Sequence, residues 1–418
     1  MKTLQHRTIG DLLICTWVAR AKFLPSLLVL CLSLTSVASR AQEQAEPAAP
    51  SLSVSDFIPV PNAKFHRTEI ANAKFPVVDA HSHFFHRTRH DPQQLGALIE
   101  LMDRNRIAIC ISLDGTLGRR LDEHKEFLWT EYKDRFVIFC NIDWRGAAKE
   151  DDYQNWDCNQ SDFVRRTCMQ IQSAQESGVS GLKVFKSLGL EIRNADGSFT
   201  ELDEPRLDPI FDTCGNLGVP VLIHTADPSA FFQPLTPNNE RYEELSRHPE
   251  WHYPSNKFPT REHLFQARQR LFSKHPKTIF IAAHFANDAE DLVEAANILE
   301  AHPNVILDFA SRISELGRQP FTARDFFIRH QDRIVFGTDG PWPEQRYHAY
   351  WRFLETHDEY FDYSEKPIPP QGLWRIYGID LPDAVLRKIY YENAMRWIPG
   401  VKERLNRLNL IERIDDEH

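Results

Sequence analysis

The sequence predicts a (β/α)8 barrel of the α/β class, and three observations carry that prediction. Eight short apolar, β-rich runs recur between residues 76 and 339. Helical patterns separate them, as strand–helix alternation around a parallel barrel requires. An open doubly wound sheet, the competing architecture, usually shows a glycine-rich phosphate turn after an early strand. Neither G-x-G-x-x-G nor a P-loop occurs here. Composition agrees: 418 residues, 42% hydrophobic and 26% charged, describe a globular chain with room for one large domain. A formal net charge of −10 without a long basic run carries no nucleic-acid footprint.

The N-terminus stands apart from the fold. Lys2, Arg7, Arg20 and Lys22 precede an apolar stretch from Phe23 to Val37, and the small residues Ser36, Ala38, Ser39 and Ala41 close it. Charged, apolar and small-residue parts in that order predict a secretory signal peptide over 1–41, hence a periplasmic or secreted protein. The stretch is shorter than the roughly 20 residues that span a bilayer, so no stable membrane insertion is expected after processing. Residues 42–75, rich in Pro and Ala, are read as a linker and N-terminal extension. Cys110 and Cys140 lie in apolar runs and read as core residues, whereas Cys158 and Cys168 flank a polar segment and could pair in an oxidising compartment.

The barrel itself is placed at 76–400. Strands are expected at 76–81, 107–112, 136–142, 181–186, 219–224, 278–284, 304–309 and 333–339. Unbroken apolar runs with polar ends fit strands buried on both faces. Helices are expected at 92–104, 161–177, 207–217, 261–274 and 288–301. Gly178, Gly218 and Pro303 follow three of them, where helices stop. Residues 401–418 are read as a C-terminal tail.

Residues able to bind metal recur where the strands finish. The first ends in Asp79-Ala80-His81-Ser82-His83. Side chains alternate along a strand, so His81 and His83 share one face, a half-site for zinc or another divalent ion. The fifth run ends at His224, the sixth at His284 and the eighth at Asp339. A lone histidine at a strand end is usually structural. Four strands out of eight ending this way are a stronger signal, because a closed barrel brings all C-terminal ends to one mouth.

Taken together, VVDAHSH, GLKVFK, GVPVLIHTADP, IFIAAHF, IVFGTDGPW and YYENAMRWI make the chain resemble the amidohydrolase superfamily, in its amidohydrolase-related (family 2) branch. The resemblance implies a metal-dependent barrel enzyme. It implies that His81, His83, His224 and Asp339 hold one divalent ion, usually zinc and sometimes manganese. His284 would be an acid/base or substrate-orienting residue, or a second-metal ligand in binuclear relatives. Lys183 matches the lysine that is carboxylated and bridges two metals in binuclear members; a lysine whose stem packs on the barrel while its ammonium faces the mouth is the alternative.

The chemistry of those residue types is consistent with this. A divalent ion on three imidazoles and a carboxylate leaves room for water and lowers its pKa from about 15.7 towards roughly 7. Asp339 could touch the metal and accept the water's proton, and His284 could polarise a carbonyl or protonate a leaving group. Two other segments are candidates for shaping a pocket. Residues 225–277 form a long connection, and its part from Asp227 to Pro259 carries Phe231, Phe232, Trp251, His252 and Tyr253 among six prolines. It reads either as an aromatic lid that contacts substrate, Trp251 included, or as an excursion burying its aromatics on itself. Arg312 could pair with a substrate carboxylate or serve in a surface salt bridge. His86 and His90 are read as loop residues.

Three functions compete. The leading one is a metal-dependent hydrolase, with metal-bound hydroxide attacking an amide, lactone or other ester bond. The same constellation serves non-oxidative decarboxylases of aromatic or unsaturated acids. A non-catalytic binding barrel is third. The expected partner is a small-molecule substrate, and homo-oligomer formation is left open.

Overall fold

The computed structural model describes residues 52–53, 56–57 and 60–410. The expected signal peptide lies outside the described residues. Eight parallel strands follow one another around the sheet in chain order: β1 (Val77–Ser82), β2 (Ile107–Ser112), β3 (Phe136–Asn141), β4 (Gly181–Val184), β5 (Val221–Ile223), β6 (Phe280–Ala282), β7 (Val305–Asp308) and β8 (Ile334–Val335). Every strand residue is buried, which is why the runs read as continuous apolar stretches. Beyond β8 the chain closes on β1: Ala80 N–H donates to Phe336 O at 2.9 Å and Asp339 N–H to His81 O at 2.8 Å. Asp79 ties the same seam, accepting the Thr338 backbone N–H at 3.1 Å and its hydroxyl at 2.5 Å. The architecture is the expected (β/α)8 barrel.

A helix follows each strand: α1 (Pro92–Arg104), α2 (Arg119–Tyr132), α3 (Phe163–Glu176), α4 (Asp208–Leu217), α5 (Arg261–Lys274), α6 (Leu292–Ala301), α7 (Pro320–Arg329) and α8 (Glu344–Glu355). Local chemistry sets several ends. Asp91 caps α1, with Pro92 as its first residue, and Thr260 caps α5. Asp291 accepts the N–H groups of Val293 and Glu294, so α6 starts four residues later than the periodicity predicts. Gly218, at φ 66°, ends α4 in the left-handed conformation that glycine adopts without penalty.

The strands end earlier than the apolar runs. The run 333–339 yields a two-residue ladder, and 278–284 a three-residue one. At the C-terminal ends the backbone turns left-handed, at Ala226, His284, Ser311 and Asp339, and leaves the ladder there. Those turns make the barrel mouth.

The connection after β5 folds on itself. Tyr253 is buried, with Phe232 at 5.4 Å and Phe258 at 5.1 Å between ring centroids, and Trp251 stacks on His248 at 4.0 Å. Cys158 and Cys168 are free thiols, so the pairing left open by the sequence is not made. Cys158 Sγ faces Arg193 O at 3.9 Å and Cys168 Sγ faces Pro209 O at 3.4 Å. The segment read as a tail begins with a helix, Val401–Arg407, that buries Val401 and Leu405. Among the described residues no helix is long and apolar enough to cross a membrane.

Candidate metal centre

The alternation of β1 sends His81 and His83 to the same side, as predicted, and both Nε2 atoms face Asp339. Asp339 Oδ1 lies 3.5 Å from His81 Nε2 and 3.4 Å from His83 Nε2. One ligand atom from each of these three residues lies within 4.8 Å of the others. Each imidazole is held from behind by a carboxylate. His81 Nδ1 donates to Asp308 Oδ2 at 3.0 Å, and His83 Nδ1 to Asp114 Oδ1 at 2.8 Å. A carboxylate can only accept, so Nδ1 carries a proton in both rings, and in His81, which burial keeps neutral, Nε2 presents its lone pair. His81 Nε2 is fully buried and has no hydrogen-bond partner. Buried acceptors are rarely left so, and an imidazole backed by a carboxylate is the usual form of a metal ligand. The residues fit a divalent cation.

His224 and His284 adjoin this group. His284 packs 4.7 Å from His81 and 4.3 Å from His224 between ring centroids. Its Nδ1 donates to Ala310 O at 2.8 Å, which leaves Nε2 as an acceptor, and its backbone N–H donates to Asp308 Oδ1 at 2.9 Å. His224 stands outside the three-residue group: its Nε2, buried and without a hydrogen bond, is 3.5 Å from Asp227 Oδ1. Asp227 in turn is held by Lys186 at 2.6 Å.

His284 opens an unusual stretch of backbone. His284, Phe285, Ala286 and Asn287 all have φ between 56° and 59°, a conformation that costs an L-residue roughly 1–2 kcal/mol. The surroundings hold it. Asn287 Nδ2 donates to Thr225 O and Ala226 O at 2.9 and 3.1 Å, Arg261 donates to Asn287 O at 2.5 Å, and Arg268 donates to Ala286 O. Such strain is found where geometry matters to function.

Electrostatics divide the cluster. Burial pushes His81, His224 and His284 below the usual imidazole range, and the cations Lys183 and Arg312 push His224 down further. For His83 burial acts in the same direction, but the hydrogen bonds to Asp114 and Asp339 prevail and raise it to about 9. Burial opposes ionisation of Asp308, yet the adjacent His81 and the backbone N–H of His284 bring it to about 2. Asp339, about a third exposed, is held well below the carboxylate range by His83, His81 and His284.

The other predicted residues fall variously. Lys183 is buried with no partner for Nζ, which lies 5.1 Å from the Phe185 ring centroid; burial brings its ammonium down to about 8. Arg312 is buried too, bonded to Ser311 O and Asn287 Oδ1, and among the described residues it makes no salt bridge. Trp251 has His248 as its ring partner and none of the cluster residues. His86 is exposed, its backbone N–H on Asp114 Oδ2 at 3.2 Å, while His90 bonds His124 at 2.8 Å. Sequence reasoning passed over Asp308, Asp114, Asp227 and Asn287. Asp308 stands one residue short of the end of the seventh run, 304–309, and is the last residue of the strand that forms there. Asp114 lies beyond its strand, where no periodicity marks it.

Comparison with known proteins places the chain in a family. A family model described as amidohydrolase matches residues 78–399. No curated protein matches the chain. Among solved structures the chain is similar to an uncharacterized TIM-barrel protein from Bordetella bronchiseptica, at 16% identity, covering 79% of this chain and 100% of that one, with a TM-score of 0.45. It is similar to a dihydroxybenzoic acid decarboxylase from Polaromonas sp. with bound manganese and 2-nitroresorcinol, at 16% identity, 77% and 96% coverage and a TM-score of 0.45. It is also similar to dihydroorotase from Campylobacter jejuni, at 12% identity, 79% and 85% coverage and a TM-score of 0.44. The family match spans the whole barrel and each of the strand-end histidines, and by it this chain belongs to the amidohydrolase family of enzymes.

Proposed function

We propose that this enzyme is a hydrolase of amide, lactone or other ester bonds in a small molecule, with one divalent ion, zinc or else manganese, held by His81, His83, His224 and Asp339. The observation that carries the reading is the buried, unpartnered Nε2 of His81, set 3.5 Å from Asp339 Oδ1 by a carboxylate behind its ring. When bound, such an ion supplies Lewis acidity at an oxygen and a water of lowered pKa. The chain's own residues supply the rest. Asp339, kept ionised by its histidine neighbours, is a proton acceptor at Oδ1 or Oδ2. His284 is neutral with its proton on Nδ1, so its Nε2 can take a proton or orient a substrate donor. The proposed export favours hydrolysis, because an exported enzyme meets scavenged polymers, lactones or amides rather than cytosolic catabolic acids. Lys183 is read as an unmodified lysine, and the site as mononuclear. Export by cleavage within 1–41 is part of the same proposal.

Elemental analysis of the purified protein, with His81→Ala beside it, tests the site. About one zinc or manganese per chain, lost in the variant, is the expected result. Two ions per chain would give Lys183 the bridging role instead. A screen of lactones, amides and carboxylated aromatic rings then tests the reaction. Ring opening or amide cleavage supports the hydrolase. Release of CO2 replaces it with a non-oxidative decarboxylase, and no metal and no turnover leaves a binding barrel. N-terminal sequencing of protein recovered from the periplasm or medium tests export.

A further inference from the structure

Arg312 carries an inference about substrate, one that rests on the proposed use of this mouth as the active site. It follows β7 and Ser311, one of the left-handed residues at the barrel mouth. The side chain is only 6% exposed, and its charge acts on both His224 and His284. A buried guanidinium normally has a carboxylate fork opposite it. Among the described residues, Arg312 has none within ion-pair distance. One nitrogen donates to Ser311 O at 2.9 Å, another to Asn287 Oδ1 at 2.5 Å, and Nε is buried without a partner.

The carboxylates that could have served are committed elsewhere. Glu315, three residues along, is bound by Arg241 and by the Ser314 hydroxyl at 2.6 Å. Glu244 pairs with Arg241 at 2.9 Å. Both feel the charge of Arg312, but neither fills its donors. The two neutral acceptors, an amide oxygen and a backbone carbonyl, fix the guanidinium plane without neutralising it. That is how an anion-binding arginine is pre-organised: orientation is settled in the free protein and the charge is left for the ligand.

We infer that Arg312 receives an anionic substituent of the substrate, of carboxylate class, on the His224–His284 side of the metal cluster. The anion held here is a handle, distinct from the bond attacked at Asp339 and the metal. It therefore applies to either reaction. A purely structural Arg312, a strut between the turns after β6 and β7, requires the two hydrogen bonds and no ligand.

Binding of simple probes separates these cases. Benzoate, benzamide and phenylphosphonate are titrated calorimetrically into the full-length folded protein, into Arg312→Gln and into Arg312→Lys, with circular dichroism and metal content measured on each. Benzoate is expected to bind at least about tenfold more tightly than benzamide to the unmodified protein, with the preference lost in Arg312→Gln and reduced in Arg312→Lys. Equal binding of benzoate and benzamide overturns the inference, as does a preference that survives in Arg312→Gln. Tighter Arg312-dependent binding of phenylphosphonate overturns the carboxylate assignment. Should Arg312→Gln fail to fold, Arg312→Lys decides: it keeps the charge but not the planar fork, and an unchanged benzoate preference in it counts against the proposal. Metal content is read separately. A protein without metal that still selects benzoate through Arg312 keeps this inference and loses the metal-enzyme reading.

Discussion

Asp308 holds His81 and His284 at once: Oδ2 accepts the His81 Nδ1–H at 3.0 Å and Oδ1 accepts the His284 backbone N–H at 2.9 Å. Oδ1 also receives the N–H of Ala310, whose carbonyl accepts the Nδ1–H of His284. One buried carboxylate at the end of β7 thus sets the tautomer of a proposed metal ligand and the backbone of a proposed acid/base.

Replacing Asp308 by Ala frees the His81 ring and its tautomer. Loss of the group behind a metal-bound imidazole typically lowers affinity about 10–100-fold. A competitive chelator titration of Asp308→Ala is expected to show a loss in that range. Affinity equal to that of the unmodified protein would remove His81 from the ligand set.

Asp339 closes the cluster, with Oδ1 within 3.5 Å of both His81 and His83. Asp339→Ala is expected to lower kcat/KM by about 10³-fold or more, since both a ligand and a proton acceptor go. The barrel should stay folded by circular dichroism. Full activity in this variant, or in His81→Ala, would sink the site assignment.

Asn287 anchors the left-handed turn through Thr225 O, Ala226 O and Arg312. In Asn287→Ala the strained backbone from His284 onward loses these restraints. A displacement of about 1 Å can cost about 10²-fold in rate. Turnover is expected to fall by that order with metal content preserved. Unchanged turnover would show that the turn holds its shape without Asn287.

His124 gives a pH dependence away from the metal cluster. It is buried on α2, bonded to Ser112 Oγ and His90 Nε2 at 2.8 Å each, and burial brings its pKa down to about 4. The unfolded chain takes up this proton near pH 6.5, the folded chain only near 4. Stability from this group is therefore complete above about pH 6.5 and is lost as pH falls towards 4. Between pH 7 and 5 the loss is about 2 kcal/mol. Denaturant unfolding of the unmodified protein and of His124→Gln at both pH values should show the smaller fall in the variant. Equal falls would mean that His124 is protonated in the folded state.

The local pattern of residues was enough for the barrel. Eight runs buried on both faces fit a parallel sheet, and strand–helix alternation orders them in sequence. Period-two alternation put His81 and His83 on one side, and polar strand ends marked His224, His284 and Asp339. The boundaries were less legible, because the ladder stops where the backbone turns left-handed, and that depends on partners distant in sequence.

Tertiary structure alone decided what stands behind each ligand. Asp308 and Asp114 meet His81 and His83 across 227 and 31 residues, separations over which no sequence period operates. Arg312 is a further case, since its character depends on what is missing around it. Periodicity records which face of an element a side chain occupies. Which groups meet at the barrel mouth, and which donors there remain unfilled, is settled only when the ends of different strands are brought together.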